Sequence, residues 1–511
     1  MKVIENFMFE NIAGWTVKKI KDYKTVIIAS ILSALMAYMF WFTNKLVNHD
    51  DIKALFDLGI GVSSGRWMID VMAKLTITAS LPWLNGVVGI FLITAANCLI
   101  VDMFHIKNRV VQVMLAALIM VFPGNMDVFT YMFTSTAYCL AFLFSAMSAW
   151  FFNKGGWKNI MIGVASGILM LATYQPYVTV ISTLLLLSLV QDIIENRNSA
   201  LEILFRGIKC LLYLVAVVFG YFAVTMLIFL IIGGGLNSYA TAHVSSGKNI
   251  FQRIAFTYQA FFDIIFKRKL NIVNNAYSSL VHIGSLAIIL FEMGLTMFRS
   301  KDIRKAGLML VCIILLPLSM NAMYLVFEDY GIRAMMSFGF IGMYVAAAVF
   351  LDNISWTKQR LIKEALMWFL ALAIINNVCI ANKTALRMHL AYENAHSFFT
   401  TVLADIKMTP GFDENCKIAL IGYTDVHVYP IKELGNDNVN GALKDLINEY
   451  SREAFIAYFC GFDAEYANDQ EEAEIMETEE FKSMPRYPYY GSIKRIGDYL
   501  VVKLDEIPLY G

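Results

Sequence analysis

Charge is what this sequence has least of. Only 16% of its 511 residues are charged, against about 25% in a soluble globular domain. The 41 basic and 41 acidic side chains cancel, and a chain with no basic surplus is not built to bind nucleic acid. Cysteine is scarce too: seven in the whole chain make no disulfide framework. Cys98, Cys139, Cys210, Cys312 and Cys379 lie inside apolar runs, where a thiol serves as a small packing residue. Cys416 and Cys460 lie in polar sequence and could pair if that part is extracytoplasmic. The motifs of soluble enzymes are missing: no P-loop lysine signature, no G-x-S-x-G elbow, no H-E-x-x-H and no C-x-x-C. Seven scattered His give no basis for a metal site. There is no internal repeat and no low-complexity segment.

Apolar sequence is abundant instead. Hydrophobic residues make up 58% of the chain and the mean hydropathy is +0.58. The first apolar run is about nineteen residues long and no small-x-small cleavage site follows it, so it reads as a membrane helix rather than a removable signal. Runs of this kind recur to about residue 381. They predict about eleven spans, at roughly 25–43, 82–103, 110–123, 128–150, 159–174, 177–191, 208–232, 277–298, 307–324, 334–350 and 362–381. Pro123 and Pro176 punctuate the shorter ones, where a helix must end or kink.

Lys18, Lys19, Lys21 and Lys24 precede the first span and place the N-terminus inside by the positive-inside rule. Alternation then puts about nineteen basic residues on the cytoplasmic side and about ten on the other, the long loop with Lys267-Arg268-Lys269 being the main exception. The polar mass falls outside, in segments of about 44–81, 233–276 and 382–511. The expected division is a membrane domain over 1–381 and a small extracytoplasmic α/β domain over 382–511. In the latter, helices fit Asn394–Met408 and Val439–Phe459, and strands fit Lys417–Gly422 and Tyr499–Leu504. The acidic run from Glu471 to Glu480 reads as a solvated helix or loop.

Polar groups at the outer ends of the apolar runs are the candidate site residues. Asn48-His49-Asp50-Asp51 follows the first span. Its acids either cap a following helix or supply a base that takes a proton from an incoming hydroxyl. Ser63-Ser64-Gly65 can cap a helix, and an amphipathic interfacial helix follows from Arg66-Trp67. Arg66 either pairs with Asp70 at i,i+4 or offers its planar fork to a phosphate. Pro123-Gly124-Asn125-Met126-Asp127, Tyr174-Gln175-Pro176-Tyr177 and Glu328-Asp329-Tyr330-Gly331-Ile332-Arg333 break the chain at the same face. Together these turns can form a polar cleft at the outer membrane boundary.

The acidic first outer loop, Ser63-Ser64-Gly65-Arg66-Trp67, Ala172-Thr173-Tyr174-Gln175-Pro176-Tyr177, Tyr330-Gly331-Ile332-Arg333-Ala334 and the tail Tyr487-Pro488-Tyr489-Tyr490-Gly491-Ser492-Ile493 resemble the GtrII-type bacterial glucosyltransferases. The resemblance implies a polytopic GT-C-like transferase of the bacterial cytoplasmic membrane. Such an enzyme moves a hexose, glucose in the named family, from a polyprenyl-phosphate carrier to a surface glycan such as an O-antigen. It implies Asp50 or Asp51 as the base and Arg66 and Arg333 on the carrier phosphate. Trp67, Asp127, Tyr174, Gln175, Tyr177, Glu328 and Asp329 are then expected around the substrate. No metal, cofactor or nucleic acid is expected; the partners are the lipid-linked sugar, the glycan acceptor and membrane lipid. A transporter or flippase of a lipid-linked glycan shares the many spans and the polar cavity. It would favour inverted repeats and midplane charges, of which the sequence has no repeat and few charges.

Overall fold

The computed structural model describes residues 20–55, 61–75, 80–237, 249–266, 276–300, 302–325, 333–353, 359–413, 415–422 and 447–504. It is mostly helical, and each of the eleven apolar runs is helical over most of its length, 128–150 with a break at Tyr131 and 334–350 opening on two 3-10 turns before helix Ile341–Asn353. Among the described residues, nine helices are long and apolar enough to cross a membrane. Trp157–Leu171 and Phe338–Asn353 are apolar but shorter. The expected count of eleven spans therefore divides into nine of spanning length and two that are not. The chain falls into two compact units, one over residues up to Lys45 and Leu58–Asn382, the other over Leu46–Asp57 and most of Lys383 onward.

In the first unit the long helices carry apolar side chains on their exposed faces as well as on their packed ones. Helix Ala200–Ile232 starts on a capping box between Ser199 and Glu202, which satisfies two orphan donors. Along it Phe219 and Leu230 stand 74% and 82% exposed. An apolar surface of that extent marks a partner, here lipid hydrocarbon. Polar side chains turn inward instead. Asn97 Nδ2 donates to Ser30 Oγ at 2.9 Å and to the Ala116 carbonyl at 3.1 Å, joining three helices through groups that have no water to turn to. Arg206 pairs with Asp192 and donates to Asn153, while Asp102 accepts from Tyr23 Oη at 2.6 Å and Trp150 Nε1 at 2.7 Å.

Proline sets the breaks. The helix begun at Arg109, capped by Asn108 through the Val110 and Val111 N–H groups, ends at Met120 and a new one starts on Pro123. A proline at the first helical position loses no hydrogen bond there. Pro176, at the second position, likewise lies in the first turn of the 3-10 helix Gln175–Tyr177, which leads into helix Val178–Ile194.

The second unit holds a three-stranded sheet. Strands β1 (Lys417–Ile421), β2 (Ile493–Ile496) and β3 (Tyr499–Lys503) are ordered β1-β3-β2, with β3 parallel to β1 and antiparallel to β2. Alternation divides its apolar residues between two faces. Ile418, Leu420, Leu500 and Val502 pack with Phe399, Val402, Phe455 and Ile456, and with Val47 and Ile52 from the segment after the first span. Ala419, Ile421 and Val501 pack with Ile475, Phe481 and Met484. The expected helix at Asn394–Met408 is the end of a 49-residue helix, Arg360–Met408, and Glu449–Cys460 forms the later one; residues 439–446 lie outside the described residues. The acidic run folds as helices Asp469–Glu477 and Glu479–Ser483. One acid there is not solvated: Glu472 is buried and lies 3.5 Å from the equally buried Arg452. All seven cysteines are free, Cys416 and Cys460 included. Cys139, Cys210 and Cys312 are buried as expected, whereas Cys379 is exposed on the outer side of its apolar helix.

Candidate active site

Residues 61–68 fold into a tight loop that only glycine permits at two places. A Cβ on Gly61 would lie 2.7 Å from the Arg66 carbonyl oxygen. Gly65 has φ +74°, and its Cβ would lie 2.6 Å from Tyr221 Oη. The Asp70 carboxylate closes this loop, taking the Gly61 N–H at 3.1 Å and the Val62 N–H at 2.8 Å. The serines expected as a helix cap instead form the 3-10 turn Val62–Ser64, and the helix runs Trp67–Leu75. Asp70→Ala is expected to lower stability by about 1–3 kcal/mol, since two N–H groups lose a charged acceptor. Thermal unfolding of the purified variant checks it; an unchanged midpoint would mean that the loop does not depend on Asp70.

With Asp70 holding the loop, Arg66 reaches elsewhere. Its Nε donates to Gln175 Oε1 at 3.3 Å and its guanidinium carbon stands 5.2 Å from the Tyr174 ring centre. Gln175 Nε2 donates to Tyr221 Oη at 3.2 Å and to the Ser64 carbonyl at 3.4 Å. Tyr221 Oη donates to the Gly65 carbonyl at 3.0 Å, and Met68 N–H to the Ala172 carbonyl at 3.0 Å. Trp67 Nε1 donates to Thr225 Oγ1 at 3.2 Å. Loop 61–68, the Tyr174–Tyr177 break and one face of helix Ala200–Ile232 are thus tied together by hydrogen bonds.

Tyr174 is the centre of the group. Its ring lies 4.4 Å from that of Tyr138 and 5.0 Å from that of Tyr177, the latter edge-on. Tyr177 packs in turn at 4.6 Å against Phe338. Burial and the neighbouring Tyr138 bear first on the Tyr174 hydroxyl, and the charges of Arg66, Asp127 and Arg333 after them. Buried Asp127 accepts the Met335 N–H at 2.9 Å through Oδ2, which fixes the turn that follows Arg333. Loop 61–68 and the Tyr174–Tyr177 break are thus joined directly, and the Asp127 turn is joined to the turn that follows Arg333. Tyr138 and Tyr221 were not legible as members, because both sit in uninterrupted apolar runs.

Asp50 and Asp51 belong to the second unit. They lie in the one-turn helix His49–Lys53, whose cap is Asn48, accepting the Asp51 N–H at 2.7 Å. This helix packs on helix Glu449–Cys460. The two acids differ in access: Asp51 is 0% exposed, whereas the Asp50 side chain is 42% exposed, 3.6 Å from His49 Nε2. Burial first, then the charge of Asp50, pushes the Tyr450 hydroxyl above its ordinary pKa. Glu328 and Asp329 lie outside the described residues. Among the described residues no group of three or more His, Cys, Asp or Glu is placed to hold a metal ion.

No curated protein and no solved structure matches the chain. The family model for glucosyl transferase GtrII matches residues 39–344, a stretch containing the Arg66–Tyr174–Gln175 group, Asp127, Arg333, and both Asp50 and Asp51. That match covers more than half of the sequence, and with the apolar helices around it, it establishes that the chain belongs to the GtrII glucosyltransferase family.

Proposed function

We propose that this glucosyltransferase takes its sugar from a polyprenyl-phosphate carrier, a donor that needs no nucleotide-binding loop, and adds it to a cell-surface polysaccharide such as an O-antigen. The observation that carries this reading is the group around Tyr174 at the ends of apolar helices, where the Arg66 guanidinium stands over the tyrosine ring and Asp127 holds the turn that follows Arg333. An amphipathic donor has a tail suited to hydrocarbon and a phosphate suited to guanidinium. In the proposed reaction a carboxylate takes the proton of the acceptor hydroxyl, and that oxygen forms a bond to the anomeric carbon. The bond from that carbon to the phosphate oxygen breaks, and its electron pair leaves on the lipid phosphate, where arginine stabilises the growing charge. A single displacement inverts the anomeric centre. Asp50 is the proposed base, because a base must meet an acceptor arriving from water and Asp51 is sealed from solvent. Trp67, Gln175 and Tyr177 shape the surroundings, and no cofactor enters the scheme.

Purified protein supplied with polyprenyl-phosphate glucose and a polysaccharide acceptor should release polyprenyl phosphate and yield a product of inverted anomeric configuration. Movement of a lipid-linked glycan across a vesicle membrane without that release would replace the transferase by a flippase. The proposed orientation has the N-terminus inside the bacterial cytoplasmic membrane and the C-terminal unit outside. Cysteines introduced at Ser397 and Asn159 should be labelled from outside intact cells at the first position and not the second; the reverse pattern overturns the orientation.

A further inference from the structure

Among the described residues, three fully buried polar side chains near the Tyr174 group carry atoms with no hydrogen-bond partner. Asn321, which ends helix Ile303–Met320, is 0% exposed, and neither its Oδ1 nor its Nδ2 is bonded. Tyr324, in the following 3-10 turn Ala322–Leu325, is equally buried with its Oη unbonded, and so is Tyr177. The three are neighbours in the fold. The Tyr324 N–H donates to the Asn321 carbonyl at 3.0 Å. Turn Ala322–Leu325 packs against turn Gln175–Tyr177 and helix Val178–Ile194. Gly339 is pressed on the residue before Asn321, since a Cβ there would lie 2.3 Å from the Met320 carbonyl oxygen. Phe338, beside that glycine, is the residue whose ring meets Tyr177.

A buried amide with both ends unbonded loses its water and gains nothing in return, so such a group calls for a partner. We propose that Asn321, Tyr324 and Tyr177 hydrogen-bond the hydroxyl groups of the transferred hexose; this rests on the donor assigned above. The chemistry of the three suits that ligand. The amide supplies donors and acceptors, and each phenol supplies one of each. Phe256 stands edge-on to Tyr324 at 5.2 Å and Phe338 lies against Tyr177, giving the apolar surroundings that the C–H faces of a sugar ring favour. None of the three side chains is charged, so they match the neutral part of the donor and leave its phosphate to the arginines.

The test uses the full chain with polyprenyl-phosphate glucose and with its singly deoxygenated analogues, each hydroxyl removed in turn. Asn321→Leu, Tyr324→Phe and Tyr177→Phe remove polar atoms that make no bond within the protein, so unfolding temperatures should stay level or rise. Transfer of glucose should nevertheless fall about tenfold or more in kcat/KM, the loss expected for one hydrogen bond. Each variant should also lose its discrimination against the one analogue that lacks the matching hydroxyl, because a site built for a hydroxyl is left unpaired without it. Variants that keep turnover and discrimination overturn the subsite. So do variants whose unfolding temperature falls in step with activity, since those side chains would be holding structural water. A wild-type chain that releases no polyprenyl phosphate from any donor overturns the transfer reading and the subsite with it, whereas active wild type with indifferent variants overturns the subsite alone.

Discussion

Asp50→Asn should lower turnover by about a hundredfold to ten-thousandfold, the usual cost of losing a positioned base. The substitution keeps size and removes only the charge that accepts a proton. The side chain is 42% exposed, so the unfolding temperature should hardly move. Asp51→Asn should behave differently. Its side chain is fully buried in helix His49–Lys53, next to Ile52 in the apolar centre of the second unit. There the expected effect is on stability first, with activity following the folded fraction. Rate and unfolding temperature measured on both single variants and on the double variant separate the two roles. Turnover within a few-fold of wild type in all three would remove both acids from the chemistry.

Arg66→Ala and Arg333→Ala should each lower kcat/KM by about a hundredfold to a thousandfold, the cost of removing one group that meets charge developing on the leaving oxygen. Much of that loss should fall in kcat, because the contact strengthens as the phosphate departs. Arg66→Lys should recover little. A lysine keeps the charge but not the fork that donates to Gln175 and lies over Tyr174. Asp70→Ala supplies the contrast: its carboxylate holds the Gly61 and Val62 N–H groups, so its defect should appear in the unfolding temperature. Steady-state kinetics with the lipid-linked donor decides it. Normal donor affinity and turnover in the Arg66→Ala and Arg333→Ala proteins would rule out a phosphate role.

Much of the helical frame could be read in advance because the bilayer imposes a length. A run such as Lys24–Thr43 is long and apolar enough whatever it packs against, and Pro123 and Pro176 mark breaks because a ring nitrogen has no proton to donate. Strands β1 and β3 were equally plain in Lys417–Gly422 and Tyr499–Leu504. Strand β2 was not: Ile-Lys-Arg-Ile is four residues with two charges, and it becomes a strand by pairing with β3.

The site was legible as a set of turns but not as an arrangement. Sequence placed Arg66 either on Asp70 or toward a phosphate, since i,i+4 neighbours on a helix can always meet. Folding settled the first alternative by using Asp70 on the backbone of residues 61–62 and turning Arg66 to Gln175, 109 positions away. Nothing local in the chain encodes that distance. The segment after the first span reads as a loop, yet Val47 and Ile52 join the apolar centre formed by Phe399, Phe455 and Leu500. Hydropathy and breaks, which each stretch carries within itself, were enough to define a polytopic helical protein with polar turns at its helix ends. Which turns meet, which acid is sealed and which stays open to water depend on packing between residues hundreds of positions apart, and only the tertiary structure decided them.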